Sequence, residues 1–289
     1  MKSLKLIMLA ALVLTLAGLG QATTIALVSD ADAPDVNVGG IDDSYVSFLE
    51  GLGYTVDTTG MGGNFKEGAT SPFAAGNEAK LAVLESADLV IISRKTNSGA
   101  YDNDRMGWNS LATPLLLNSG YLTRGESSSK RWGWTTGGSS DADKTATDLD
   151  IIGAHPFLPV PQIFDWSLAS TAPEAPKGVY LPNSSGEVVG GEVIGEFEDD
   201  RPFLIDFAAG IDLDAGNGTT DKYGVLGARR AFLAHWGYDG EVAGETFRWD
   251  DFITDDYKDI LAGTVAQMIP EPATMVLLGL GGLMLRRRR

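Results

Sequence analysis

Leu89-Val90-Ile91-Ile92 is a run of four apolar, mostly β-branched residues inside the segment Ala87–Ser93. It is short, bounded by polar residues and apolar on both faces. That is the pattern of a parallel strand covered by helices on either side. Thr23–Ser29 (Thr-Thr-Ile-Ala-Leu-Val-Ser) repeats it, and Thr113–Asn118 (Thr-Pro-Leu-Leu-Leu-Asn) does so again. The segments between these runs have helical spacing. Tyr45, Phe48, Leu49 and Leu52 share one face of a helix that Asp42 or Asp43 can cap and Gly53 ends. Tyr54–Asp57 then starts a second strand, so strand, helix, glycine and strand make a right-handed βαβ unit. Asn77–Ser86 and Asp104–Leu111 supply further helices. This alternation specifies an α/β chain with a doubly wound, mostly parallel sheet.

Beyond Arg124 the pattern loosens. Gly125–Asp148 is rich in Ser, Gly, Asp and Lys around Trp132 and Trp134, and reads as a long loop or an extended insertion. His155–Trp166 reads as a proline-rich connector. Val188–Phe197 and Pro202–Phe207 alternate enough for an antiparallel addition to the sheet edge, and Gly227–His235 for a strand returning to the main sheet. Thr254 can cap a last helix over Asp255–Met268, with Asp255 and Asp256 at its positive end. No repeat and no second boundary interrupts residues 23–268, which read as one domain.

Both termini are hydrophobic. Lys2 and Lys5 precede the apolar stretch Leu6–Leu19, and Gly20-Gln21-Ala22 ends in small residues. Residues 1–22 therefore read as a signal peptide that signal peptidase removes after Ala22. At the other end, Ile269-Pro270-Glu271-Pro272 precedes an apolar run, Ala273–Leu285, and then Arg286, Arg287, Arg288 and Arg289. Two prolines stop any helix and leave an extended, accessible peptide. The run covers roughly 20 Å, short for a bilayer core near 30 Å, and the arginines hold the end on the cytoplasmic side.

These three pieces in this order resemble the PEP-CTERM sorting signal of Gram-negative bacteria. The resemblance makes residues 269–289 a sorting signal with a transmembrane helix. It implies export across the inner membrane, a transient membrane anchor, cleavage near Pro270–Pro272 by an exosortase-type protease, and a destination in the cell envelope or extracellular matrix. A plain anchor, or a hydrophobic tail packed on the domain, is the other reading of the same residues.

The chain carries 22 basic against 39 acidic side chains, a net charge of −17. Loss of Lys2, Lys5 and the terminal arginines leaves the domain more acidic still. Such a field disfavours nucleic acid and anionic membrane surfaces, and suits solubility outside the cell. There is no cysteine, so neither a disulfide framework nor a thiolate nucleophile is available.

Ser86–Arg94, Trp108-Asn109-Ser110 and Thr113–Leu117 resemble the class I glutamine amidotransferase-like fold, a flavodoxin-like architecture. The likeness extends over Thr23–Arg124 and more loosely over Tyr223–Ile269. It implies a nucleophile elbow, Gly-x-Cys-x-Gly, after the fourth strand and a late His followed by Pro-Glu. Here the elbow region is Leu117-Asn118-Ser119-Gly120-Tyr121, without the cysteine or its glycine frame, and Trp236-Gly237 follows His235. Amidotransferase chemistry is not expected, and the domain reads as non-catalytic, with a binding or structural role. The alternative is a serine hydrolase with Ser119 as nucleophile, His235 as base, and Asp239 or Glu241 orienting it.

Ligands of open α/β sheets bind at the carboxyl ends of the strands. That rule selects Asp30, the segment Arg94–Tyr101, the segment Asn118–Arg124, and His235. Arg94, Asn97, Ser98, Tyr101, Asn118, Ser119 and Arg124 are the candidate ligand-binding residues. The plainer reading is a tight turn at Asn97-Ser98-Gly99, with the arginines paired to carboxylates. Asp212, Asp214 and Asp221 resemble part of a calcium loop, although the glycine register of an EF-hand is wrong. Asp141, Asp143, Asp148 and Asp150 form a second acidic patch, and solvated loops account for both. With two histidines and no cysteine a zinc site has little to draw on. No resident cofactor is expected. Trp132, Trp134 and Tyr121 could offer flat faces to envelope polysaccharide, or else cover the core.

Overall fold

Strands β1 (Thr24–Val28), β2 (Thr55–Gly60), β3 (Leu89–Ile92) and β4 (Leu115–Leu117) alternate with helices α1 (Asp43–Gly51), α2 (Glu78–Ser86) and α3 (Arg105–Ser110). The computed structural model describes residues 23–30, 43–125, 131–141, 148–151, 157, 163–165, 180–197, 199–220, 222–235, 240–242, 245–247 and 254–269. Residues 1–22, read from the sequence as a signal peptide, and all of the sorting segment after Ile269 lie outside them.

The chain continues through β5 (Ser139–Asp141), β6 (Asp148–Ile151), β7 (Ile163–Asp165), β8 (Tyr180–Pro182), β9 (Glu192–Phe197) and β10 (Pro202–Phe207). Helix α4 (Leu213–Asn217), β11 (Arg230–Leu233), the hairpin β12 (Gly240–Val242) and β13 (Glu245–Phe247), and helix α5 (Asp255–Met268) follow. One sheet holds nine strands in the order β2-β1-β3-β4-β11-β10-β9-β6-β7. The pairings from β2 through β11 are parallel, and those from β11 through β7 are antiparallel. With β11 counted fifth, the parallel part runs 2-1-3-4-5, the order of flavodoxin-like sheets. The expected α/β sheet with an antiparallel edge is present.

The antiparallel part is wider than the sequence reading placed it. Asp148–Ile151 begins where the stretch read as loop ends, and Ile163–Asp165 falls in the stretch read as connector, yet β6 pairs with β9 and β7 pairs with β6. Their hydrogen bonds come from an edge that already exists, so three or four residues suffice. Leu52 also departs from expectation: it is 42% exposed. Helix α1 stops at Gly51, and Gly53, at a φ of 92°, turns the chain away.

All residues of β3 and β4 are buried. The core then runs down an aromatic column. Phe73 meets Trp108 edge-on at 5.1 Å, Trp108 stacks on Trp132 at 5.6 Å, and Trp134 lies 5.9 Å from Trp132 and 5.1 Å from Phe207. Its polar centre is Asn109. The amide donates to Trp132 O (2.8 Å) and Tyr223 O (2.9 Å), and its oxygen accepts from Trp134 Nε1 (2.9 Å). A buried amide satisfied on both ends costs little and fixes one register. Gly133 sits under the Tyr223 ring at a φ of 76°, where a Cβ would collide.

Candidate functional site

Strands β1, β3, β4 and β11 deliver Asp30, Arg94, Asn118 and His235 to one edge of the sheet. Asp30 stands at the β1/β3 boundary, where the strand order reverses. Its N–H donates to Lys95 O (2.8 Å), and its carboxylate accepts from Asn97 N (2.5 Å) and Tyr101 OH (3.0 Å). Lys66 Nζ stands 3.5 Å away. Burial, with Asp30 adding to it, pushes the Tyr101 phenol well above its usual range. Asn97 Oδ1 accepts from Gly99 N at 3.1 Å and caps the turn Ser98–Ala100, which is the tight-turn arrangement. The carboxylate and the turn therefore belong to one self-contained knot.

A second, buried network joins β4 and β11 to helices α1 and α5. Asn118 accepts from Tyr45 OH (3.0 Å) and donates to Leu233 O (2.9 Å). The His235 ring stacks on Tyr45 with centroids 4.9 Å apart. Its Nδ1 lies 3.0 Å from Tyr257 OH, which donates its own proton to Ala234 O at 2.7 Å. Tyr257 thus accepts from His235, which fixes the proton on Nδ1. Burial, aided by the charge of Arg94, pulls the His235 pKa down to about 3. Burial and then Tyr45 push Tyr257 well above the usual phenol range.

Ser119 is fully buried, and its Oγ has no hydrogen-bond partner. It makes no bond to His235, and its φ of −100° and ψ of 102° are ordinary extended backbone. An activated serine needs a base within hydrogen-bonding reach and sits on a strained elbow. Asp239, one proposed orienting acid, and the side chain of Glu241, the other, lie outside the described residues.

The arrangement also gathers positive charge. Arg94 lies 5.6 Å and Arg124 4.7 Å from the centroid of the Tyr121 ring. Arg124 Nε donates to Ser139 Oγ at 2.7 Å. Arg94, Tyr121 and Arg124 form a cation–π cluster on an otherwise acidic protein.

Other candidates are employed in packing. Trp132 and Trp134 have no exposed surface, which corrects the reading of them as sugar platforms. Asp212 caps α4 by accepting from Ala215 N at 3.0 Å. The Asp214 carboxylate accepts from Thr219 OH (2.7 Å), Lys222 N (3.0 Å), Tyr223 N (3.0 Å) and Gly224 N (2.8 Å). Burial works to raise its pKa, but these bonds outweigh it and hold the group below the usual carboxylate range. Instead of facing a cation, Asp214 clamps its loop. Asp221 and Asp143 lie outside the described residues, as do the side chains of Asp141, Asp148 and Asp150. Among the described residues no cluster of three His, Cys, Asp or Glu side chains could hold a metal.

One buried charge was not singled out from the sequence. Arg230, at the far end of β11 from His235, donates to the carbonyls of Thr113 (2.9 Å), Trp108 (3.2 Å), Asn109 (2.9 Å) and Leu111 (2.5 Å). Burial lowers its pKa to about 9, so it stays charged at neutral pH beside the carbonyl end of α3. Its signal was weak: one more arginine ahead of an apolar run.

Residues 269–289 match the PEP-CTERM protein-sorting motif. No curated protein matches the chain. The chain is thus an α/β protein carrying the sorting signal of exported Gram-negative proteins. That signal is read by exosortase, a membrane protease, and directs its bearer to the surface or beyond. Among the described residues no helix is long and apolar enough to cross a membrane; the run Ala273–Leu285 lies outside them.

Proposed function

We propose that this is a cell-envelope or extracellular-matrix protein delivered by a PEP-CTERM/exosortase system, with residues 23–268 forming one amidotransferase-like domain in a non-catalytic role. The observation that carries the reading is the sorting motif, which follows directly on a domain whose candidate nucleophile is idle. The Ser119 hydroxyl is sealed in without a partner, and His235 has its Nδ1 proton engaged by Tyr257. The binding face is the carboxyl edge of the sheet. Arg94, Tyr121 and Arg124, with Asn97 and Ser98 nearby in the chain, suit an acidic envelope polysaccharide better than a neutral one, because guanidinium groups fork onto carboxylates.

Processing and catalysis are tested separately. Intact-mass analysis of the protein recovered from its host is expected to lack residues 1–22 and the arginine tail; a mature chain still ending at Arg289 overturns processing. A fluorophosphonate probe is expected to leave the folded protein unlabelled. Labelling that disappears in both Ser119→Ala and His235→Ala would replace this reading with a serine hydrolase.

A further inference from the structure

Helix α5 is docked to its last residue. Tyr257, Ile260, Leu261, Thr264, Val265 and Met268 are buried, and Ile269 packs on the same core. Ile269 still donates to Val265 O at 3.3 Å. Its ψ of 122° leaves the helix, as a residue followed by proline is steered to do. Arg229 grips this end. Its Nη1 donates to Gln267 O at 3.0 Å, and Nε and Nη2 fork onto Asp206 at 2.8 and 2.7 Å. The guanidinium also lies 4.6 Å from the Phe157 ring centroid. The sorting motif begins at residue 269. No spacer therefore separates the packed core from Pro270-Glu271-Pro272.

Proteases take exposed, extended chain. Val265–Ile269 cannot be extended in a protease cleft while they are folded onto the sheet. We propose that the last turn of α5 gates exosortase processing, with Arg229 as its latch: the turn must undock before the precursor is cut. The idea rests on the reading that cleavage falls near Pro270–Pro272. The covalent step, attack on a backbone carbonyl carbon with departure of the downstream amine, is the protease's own and unchanged. Where opening and closing are fast, cleavage tracks the fraction of open molecules. The folded body thus sets how long the precursor stays at the membrane.

Pulse–chase in a host with active exosortase tests this on the full-length chain. Four forms are compared: wild type, a Gly-Ser-Gly-Ser-Gly-Ser insertion between Ile269 and Pro270, Arg229→Ala, and both changes together. Arg229→Ala is expected to speed maturation by about tenfold, the effect of one lost charge-assisted hydrogen bond on an opening equilibrium, and the insertion, which frees the motif from the docked turn, by at least as much. Arg229→Ala is expected to add nothing once the insertion is present. Equal rates for wild type and the insertion overturn the gate. So does an Arg229→Ala acceleration of the same size with and without it, since that marks general unfolding. Retention of Arg289 in every form overturns the processing reading itself, and the gate with it.

Discussion

Tyr257 and His235 share one proton-ordered contact. The phenol, 3.0 Å from Nδ1, gives its hydrogen to Ala234 O and takes the hydrogen of His235. The contact ties the last helix to the end of a central strand, and burial keeps the imidazole neutral there.

Because charging a buried imidazole is costly, acid should loosen the fold before carboxylates are exhausted. In the unfolded chain His235 titrates near its ordinary value of about 6.5, whereas the folded protein binds that proton only near pH 3. Between the two the unfolded state binds more protons, so this contribution to stability is complete above about pH 6.5 and falls with falling pH until about 3. From pH 7 to pH 5 the loss is about 2 kcal/mol. His235→Phe should be less stable at pH 7 yet lose less over that interval. Denaturant midpoints at the two pH values check it; parallel losses in both proteins would assign the acid sensitivity elsewhere.

Ser119→Ala should stabilise the domain by about 1 kcal/mol, because it deletes a buried hydroxyl that bonds to nothing. A lower melting temperature in the variant would mean that the hydroxyl has a partner after all.

Asp214→Ala should cost about 3 kcal/mol, since it strips the acceptor from Thr219, Lys222, Tyr223 and Gly224 at once. Millimolar calcium should leave the wild-type melting temperature in place. A calcium-dependent rise that vanishes in this variant would show that the loop opens to receive the ion.

Trp132→Ala should cost about 3 to 5 kcal/mol through the cavity it leaves between Trp108 and Trp134. Oligosaccharides should not quench the fluorescence of Trp132 or Trp134. Quenching that is lost in Trp132→Phe would point to an accessible ring.

How much of this was legible follows from chemistry rather than from position. Leu89–Ile92 declares itself because a strand covered on both faces must be apolar throughout. Thr254 likewise marks the start of α5: its side chain accepts from Tyr257 N at 3.2 Å, and the helix ends at Met268, ahead of Ile269-Pro270. Trp132 and Trp134 misled because their neighbours are Ser, Gly and Asp, and only the fold brings Trp108 and Asn109 beneath them. The strand-end rule found Asp30, Arg94, Asn118, Ser119 and His235. It could not pair them, since Asn118 answers to Tyr45 and His235 to Tyr257, partners set by packing and not by spacing. β6 and β7 were hidden for a related reason: β9 supplies an edge to β6, and β6 to β7, so short segments pair that would never stand alone.

The parallel pair β4 and β11 sits at the centre of the sheet, and its two strands are far apart in the chain: Leu115 lies beside Arg230 and Leu117 beside Phe232. A protein threaded through a membrane amino end first meets this as a delay. β4 emerges early with an unpaired edge of three leucines and waits until almost the whole body has crossed. The long wait favours passage, since the chain cannot lock its central strands while it is still in the channel.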